Sequence, residues 1–425
     1  MSRRPKVHLN LNVRGMRSSA TVAINEHSDQ LIADGRKVWK LGLGQSPFPV
    51  AEPVVEALRT HAGEKDYLPV RGLRALRDAV ADYHARRADI SRSGDDVLIG
   101  PGSKELMFLL QLVYYGDLVI PTPAWVSYAP QAKIIGRRVC MVQTDQDDDW
   151  RLQPERLDEL CAEDPGRPRI VILNYPANPT GRTYSPAQCK QLAKVAKRNG
   201  VVLLSDEIYG ELHHAGEHVS MARYYPEGTI VSSGLSKWCG AGGWRLGTFL
   251  FPPRMRWLLD AMAAAASETF TSTSAPIQFA AVRAFEGGPE IERYLADSRR
   301  ILALLGNWIA TRLQRAGLRC PMPEGAFYLF PDFSPLRERL STRGVTDSVE
   351  LCRRLLDDTG VAILPGSEFG RPRAELTARL AYVNFDGAQA LRELAGFDGQ
   401  LDESFLHRNC PGTLEAIERI CAWLE

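Results

Sequence analysis

The chain carries almost no surplus charge. Its 52 Lys and Arg offset 51 Asp and Glu, for a formal net charge of +1. That balance leaves no electrostatic footprint for nucleic acid or an anionic membrane. The basic pairs Arg86-Arg87 and Arg353-Arg354 read as solvated helix faces. Long hydrophobic runs are missing as well. None approaches the roughly 18 apolar residues that span a bilayer, so no membrane partner is expected. No apolar stretch follows Met1-Ser2-Arg3-Arg4-Pro5, which argues against a secretory leader. Patterned cysteine is absent too. Cys140, Cys161, Cys189, Cys239, Cys320, Cys352, Cys410 and Cys421 are scattered with no C-x-x-C pair. This excludes a disulfide framework and a cysteine metal site, and it points to reduced thiols in a cytoplasmic protein.

What remains is the composition of an ordinary globular protein, 44% apolar and 24% charged over 425 residues. That length accommodates one large α/β unit with a smaller one appended. Short apolar runs alternate with helical patterns, as in a mostly parallel sheet flanked by helices. Expected strands are Val97–Ile99, Asp117–Ile120, Arg169–Leu173, Val201–Leu204, Thr229–Val231 and Thr248–Leu250. Several are apolar at consecutive positions, as strands buried on both faces are. Leu73, Leu76, Val80 and Tyr83 mark one amphipathic helix. Leu192 and Val195 mark a second, ended by Asn199-Gly200, and Leu414, Ile417, Ile420 and Leu424 mark the last. The run Pro321-Met322-Pro323-Glu324-Gly325 reads as a change of domain into a smaller α+β lobe. The segment from Gly396 to Pro411 reads as loop, with no assignable role.

The most informative stretch is Ser236-Lys237-Trp238-Cys239-Gly240-Ala241-Gly242-Gly243-Trp244-Arg245. A lysine can form a Schiff base with an aldehyde cofactor, and an arginine can clamp that cofactor's phosphate. Pyridoxal phosphate needs such a lysine, a carboxylate for its pyridine nitrogen, donors at its phenolic oxygen, a phosphate cup and an aromatic lid. Candidates occur in order along the chain. Gly102-Ser103-Lys104 follows an expected strand and opens a helix, a place for phosphate. Trp125 is a stacking candidate. Asn178, in Asn174-Tyr175-Pro176-Ala177-Asn178-Pro179-Thr180-Gly181, offers a donor. Asp206 closes an apolar strand, where open α/β sheets bind ligands, and Tyr209 follows three residues on. Ser236 and Lys237 then complete the cofactor set with Arg245. Taken singly, each has a plainer reading as a helix cap, a turn, a core aromatic or a surface lysine.

Two other patterns are set aside. His213, His214 and His218 read as a solvent-exposed turn, so no metal is expected. Gly240-Ala241-Gly242 resembles part of a dinucleotide fingerprint, but Arg245 occupies the place of its third glycine.

Together these motifs resemble the class I/II pyridoxal-phosphate aminotransferases of fold type I, the aspartate aminotransferase superfamily. The likeness runs from about Ser19-Ala20-Thr21 to Phe385. The resemblance implies an α/β fold with a mostly parallel central sheet and a smaller α+β domain built from both termini. Residues 1–55 would form the N-terminal arm and part of the small domain, 56–320 the large cofactor domain, and 321–425 the C-terminal small domain. It implies Lys237 as the cofactor-linked base, Asp206 and Tyr209 as its catalytic companions, and Arg245 at the phosphate. Asp66-Tyr67-Leu68-Pro69-Val70-Arg71-Gly72 is similar to the family segment whose tyrosine reaches the neighbouring subunit's phosphate, hence Tyr67 and a homodimer. Pro323-Glu324-Gly325-Ala326-Phe327-Tyr328 and Pro365-Gly366-Ser367-Glu368-Phe369-Gly370 resemble small-domain signatures. Arg379 matches the arginine that holds the substrate α-carboxylate, with Gly44 and Asn178 beside it. Gln45-Ser46-Pro47 departs from the family's usual Glu-Pro-Asp, and no second basic clamp for an acidic side chain is evident.

The implied reaction is ping-pong transfer of an amino group between an L-amino acid and a 2-oxo acid through Lys237. The alternative is a lyase, cyclase or condensing enzyme on the same scaffold. A cofactor-sensing regulator would need a DNA-binding domain, and no basic recognition helix is present.

Overall fold

Continuous apolar runs become buried strands. In the computed structural model, residues 8–16, 20–395, 397, 399 and 401–425 are described. Met1–Pro5, Ser19 and Gly396 lie outside the described residues. Among the described residues twelve strands occur in chain order: β1 (Trp39–Lys40), β2 (Val97–Gly100), β3 (Asp117–Thr122), β4 (Val139–Gln143), β5 (Arg169–Asn174), β6 (Val202–Asp206), β7 (Thr229–Gly234), β8 (Gly247–Leu250), β9 (Tyr328–Leu329), β10 (Val361–Ala362), β11 (Leu364–Pro365) and β12 (Ala378–Ala381).

Seven of them form one sheet in the order β2-β8-β7-β6-β5-β3-β4. Neighbours from β7 through β4 run parallel, and β8 runs against both β7 and β2. All six expected strands are present. The unexpected one is β4, an edge strand that buries only Val142. Its run Val139-Cys140-Met141-Val142 is apolar at four positions in a row, yet at the sheet edge most of it stays partly exposed.

Helices cover both faces. Ser103–Val113 and Arg256–Ser267 pack Leu106, Leu110, Leu258 and Met262 on one side. Pro154–Glu163 and Pro186–Arg198 pack Leu157, Cys161, Leu192 and Ala196 on the other. The second of these begins at a reciprocal Ser185–Gln188 cap with Pro186 in its first turn, and its cap residue Asn199 precedes Gly200 at φ 61°. The helix marked by Leu76 and Val80 spans Arg74–Ala88 and ends at Asp89, in the left-handed region at φ 56°.

Beyond the long helix Pro289–Arg315, strands β11-β12-β9 form an antiparallel sheet, and β1 pairs in parallel with β10. The segment 396–411 is not loop throughout: Asp402 caps a short helix, Glu403–Asn409, by accepting from the Ser404 and Phe405 amides. That helix leads into the last one, Pro411–Leu424. The parallel strands point their C-terminal ends one way. Chain order reverses at β3, whose neighbours are β4 on one side and β5 on the other. A crevice at such a point is where open α/β sheets bind ligands.

Candidate active site

The C-terminal ends of β5, β6 and β7 converge on a cavity of about 540 Å³. Volumes of this size hold small organic ligands. Lining it are Gly44, Ser103, Lys104, Trp125, Asn178, Asp206, Tyr209, Ser236, Lys237, Arg245 and Arg379, eleven of the thirteen expected site residues.

Asp206 ends β6 and is 3% exposed. Tyr128 donates to its Oδ2 at 2.5 Å, and Ser232, its register partner on β7, donates to Oδ1 at 3.3 Å. Burial pushes the carboxyl up to about 6, against the opposing pull of Tyr128, Ser232 and the Ile208 amide. A buried carboxyl held by two hydroxyls is ready to face a cationic nitrogen.

Asn174, at the end of β5, joins two loops. Its Nδ2 donates to the Asp206 carbonyl at 2.9 Å, and its Oδ1 accepts from the Asn178 amide at 2.8 Å. The Asn178 Oδ1 in turn accepts from Arg379 at 3.1 Å. This leaves the Asn178 NH2 as the donor end of that side chain.

Lys237 follows β7 and its turn. Protein encloses it except where it meets the cavity, and its Nζ donates to the Gly44 carbonyl at 2.7 Å. Burial lowers its ammonium to about 8, and the Arg379 and Arg245 cations push the same way while Asp206 opposes. An amine near 8 is partly neutral at physiological pH, which is what a nucleophile or proton acceptor requires.

Arg379, on β12, is 1% exposed. It donates to Asn178 and to the Gly42 carbonyl and lies over the Tyr328 and Phe369 rings, 5.0 and 4.9 Å from their centroids. No carboxylate pairs with it among the described residues, and its Nε has no partner there. A buried guanidinium so placed suits an incoming carboxylate.

At the other end, Ser103 opens the helix Ser103–Val113 with no side-chain cap, so its first amides are free. Gly102 has φ 91°, and a Cβ there would lie 2.3 Å from Arg245 Nη2. Arg245 itself sits in the left-handed region at φ 58°, donating to the Gly242 and Pro101 carbonyls. Free amides, a hydroxyl and a guanidinium together make an anion cup. Lys104 Nζ lies 5.3 Å from the Trp125 ring centroid, and burial, then Arg245, lowers its ammonium.

Tyr67 is not in this cavity; it stands 90% exposed on the surface. Gly102 lies behind Arg245 rather than on the wall. The expected turn is present, with Ala215, Gly216 and Glu217 exposed, but the three histidines beside it are half-buried. His214 bonds the Pro323 and Ala326 carbonyls, and burial lowers it to about 4. His218 pairs with buried Glu207 at 2.9 Å.

Sequence reasoning missed Tyr128, Ser232, Asn174 and Tyr328. Tyr128 opens the helix Tyr128–Ile134 just after Trp125, and the two rings meet edge to face at 5.2 Å. The others owe their place to strand register, which local sequence does not display.

The chain is similar to known proteins along most of its length. A family profile, aminotransferase class I and II, matches residues 36–388. The aspartate aminotransferase of Geobacillus stearothermophilus is 33% identical over 381 residues, 87% of this chain and 93% of the relative. The asparagine–oxo-acid transaminase of Streptococcus mutans is 30% identical over 88% of this chain and 94% of its own length. The solved aspartate aminotransferase from Thermus thermophilus with maleate superposes with a TM-score of 0.83 at 28% identity, covering 98% of this chain and all of the other.

Proposed function

Because the chain belongs to the class I and II aminotransferases and is a pyridoxal-phosphate-dependent enzyme that moves an amino group between an amino acid and a 2-oxo acid, we propose that the transfer takes place in the cavity around Lys237. The elimination, cyclisation or condensation alternative is not favoured by relatives that are transaminases. One observation carries the placement. A half-buried lysine lowered to about 8, a buried carboxyl and a buried arginine without a carboxylate partner among the described residues line the same 540 Å³.

The donor set fits the cofactor. Ser103, Ser236, Arg245 and the free amides of the Ser103 helix would hold its phosphate, with Arg245 seated where a Cβ at Gly102 would displace it. Asp206 would pair with the pyridine nitrogen, Asn178 and Tyr209 would donate to the phenolic oxygen, and Trp125 would stack on the ring. When bound, the cofactor supplies an electron sink for negative charge at the amino acid's Cα. The chain's own residues do the rest. Arg379 binds the α-carboxylate and so fixes which face of Cα turns to Lys237. Lys237 takes the proton from Cα and returns a proton on the cofactor side, a role its lowered pKa suits. Tyr128 and Ser232 keep Asp206 oriented.

Aspartate is the first donor to try, since several relatives are named for it. The cavity has no arginine beyond Arg245 and Arg379, so among its lining residues Lys104 is the cation left for a second carboxylate. A homodimer, in which exposed Tyr67 reaches the other subunit's phosphate, belongs to the same reading. So does the division at residues 55 and 320, in keeping with the β1–β10 pairing. Eight free cysteines fit a reducing cytoplasm, and no described helix is long and apolar enough to cross a membrane. The test is a single half-reaction. With L-aspartate and no oxo acid, the bound cofactor should convert to its amine form, and a 2-oxo acid should restore it. Lys237→Ala should lose at least roughly 100-fold in that conversion. An undiminished rate in the variant rejects the placement.

A further inference from the structure

Tyr328 lines the cavity, and its hydroxyl is directed at Tyr209. It lies on β9 and is 1% exposed. Its Oη is 2.8 Å from the Tyr209 Oη, with the two rings edge to face at 5.6 Å. The hydroxyl has little room to move. A Cβ on Gly44 would sit 2.0 Å from it, so glycine at 44 is what lets it reach Tyr209. On the ring face lies the Arg379 guanidinium.

Each of the two hydroxyls carries one proton, so one of them donates to the other. The charged and titratable groups facing the pair are Arg379 at Tyr328, and Lys237 and Asp206 at Tyr209. Burial raises both phenols. Tyr209 is raised well above its ordinary value; Arg379 opposes the rise at both phenols, and it lies directly over the Tyr328 ring. The more acidic phenol is the better donor, and the cation sits beside Tyr328.

We propose that Tyr328 is a positioning residue whose hydroxyl donates to Tyr209 Oη and thereby commits the Tyr209 proton to the cofactor's phenolic oxygen. This rests on the reading that Tyr209 meets that oxygen. Chained hydrogen bonds polarise one another, so the Tyr209 bond is stronger with Tyr328 behind it. A donor at the phenolic oxygen stabilises its negative charge and loosens the proton shared with the Lys237 linkage. Removing the Tyr328 hydroxyl therefore raises the pH at which that linkage titrates.

The experiment is a visible-absorbance titration of the cofactor-loaded protein. Tyr328→Phe keeps the ring over which Arg379 lies. Its titration midpoint should move up by roughly half to one pH unit, the equivalent of one modest hydrogen bond. Tyr209→Phe should move it further. The double variant should titrate with Tyr209→Phe, because Tyr328 acts through Tyr209. A Tyr328→Phe midpoint equal to that of the parent overturns the inference and leaves the site assignment standing. So does a double variant in which the two shifts add. A parent protein with no lysine-linked absorbance overturns the site assignment and the inference with it.

Discussion

Asp206→Asn should make the cofactor-free protein more stable while abolishing transfer. The carboxyl sits at about 6 in the fold against an ordinary 3.8. The folded state thus binds this proton more tightly than the unfolded chain does. The stabilisation from that proton is fully present below pH 3.8 and is lost as the pH rises through about 6. A displacement of about two pH units at ~1.4 kcal/mol each gives about 3 kcal/mol. Asparagine keeps the shape and cannot ionise, so the variant escapes the loss. Urea unfolding midpoints of the cofactor-free proteins should nearly coincide at about pH 4. Between there and pH 6 they should separate, with the variant ahead by up to about 3 kcal/mol and a flat difference above. A difference that does not change with pH would refute the claim that Asp206 is a charged group held at a cost until a cationic partner arrives.

Other outcomes follow from the same geometry. Capture of the cofactor by the cofactor-free protein should accelerate about tenfold per pH unit below about 8 and level off above it, because only neutral Lys237 attacks; stopped-flow absorbance reads this directly. Arg379→Lys should raise the KM for the amino acid by roughly 10- to 100-fold through loss of the planar fork. Its loaded spectrum should be unchanged, which separates substrate binding from cofactor binding. Gly102→Ala should weaken cofactor binding about tenfold or more in a fluorescence titration, since the position has φ 91° and the new methyl would strike Arg245. Tyr67→Phe should lower cofactor affinity only in the dimer, and sedimentation velocity should show the parent as a dimer.

Much of this site was legible in the sequence because its chemistry is carried by local motifs. Asp206 could be placed because Val202–Leu204 is apolar at every position, and a carboxylate ending such a strand has few places to go but the crevice. Lys237 and Arg245 were legible from the glycines between them. The residues that hold these in place were not. Ser232 meets Asp206 only because β6 and β7 pair in that register, and Tyr328 meets Tyr209 across 119 positions of chain. The position of antiparallel β8 between β2 and β7 was equally hidden, since a strand buried on both faces looks the same in either direction. The histidines misled for a related reason. The turn around Gly216 is real, but the buried Glu207 that draws in His218 lies eleven residues away.

The central claim is a covalent bond between one lysine and the cofactor. Borohydride reduction of the loaded protein makes that bond permanent, and peptide mass mapping finds it. The modification should fall on the peptide containing Lys237 and disappear in Lys237→Ala. A label on Lys104 instead, or none on any lysine, would contradict the account.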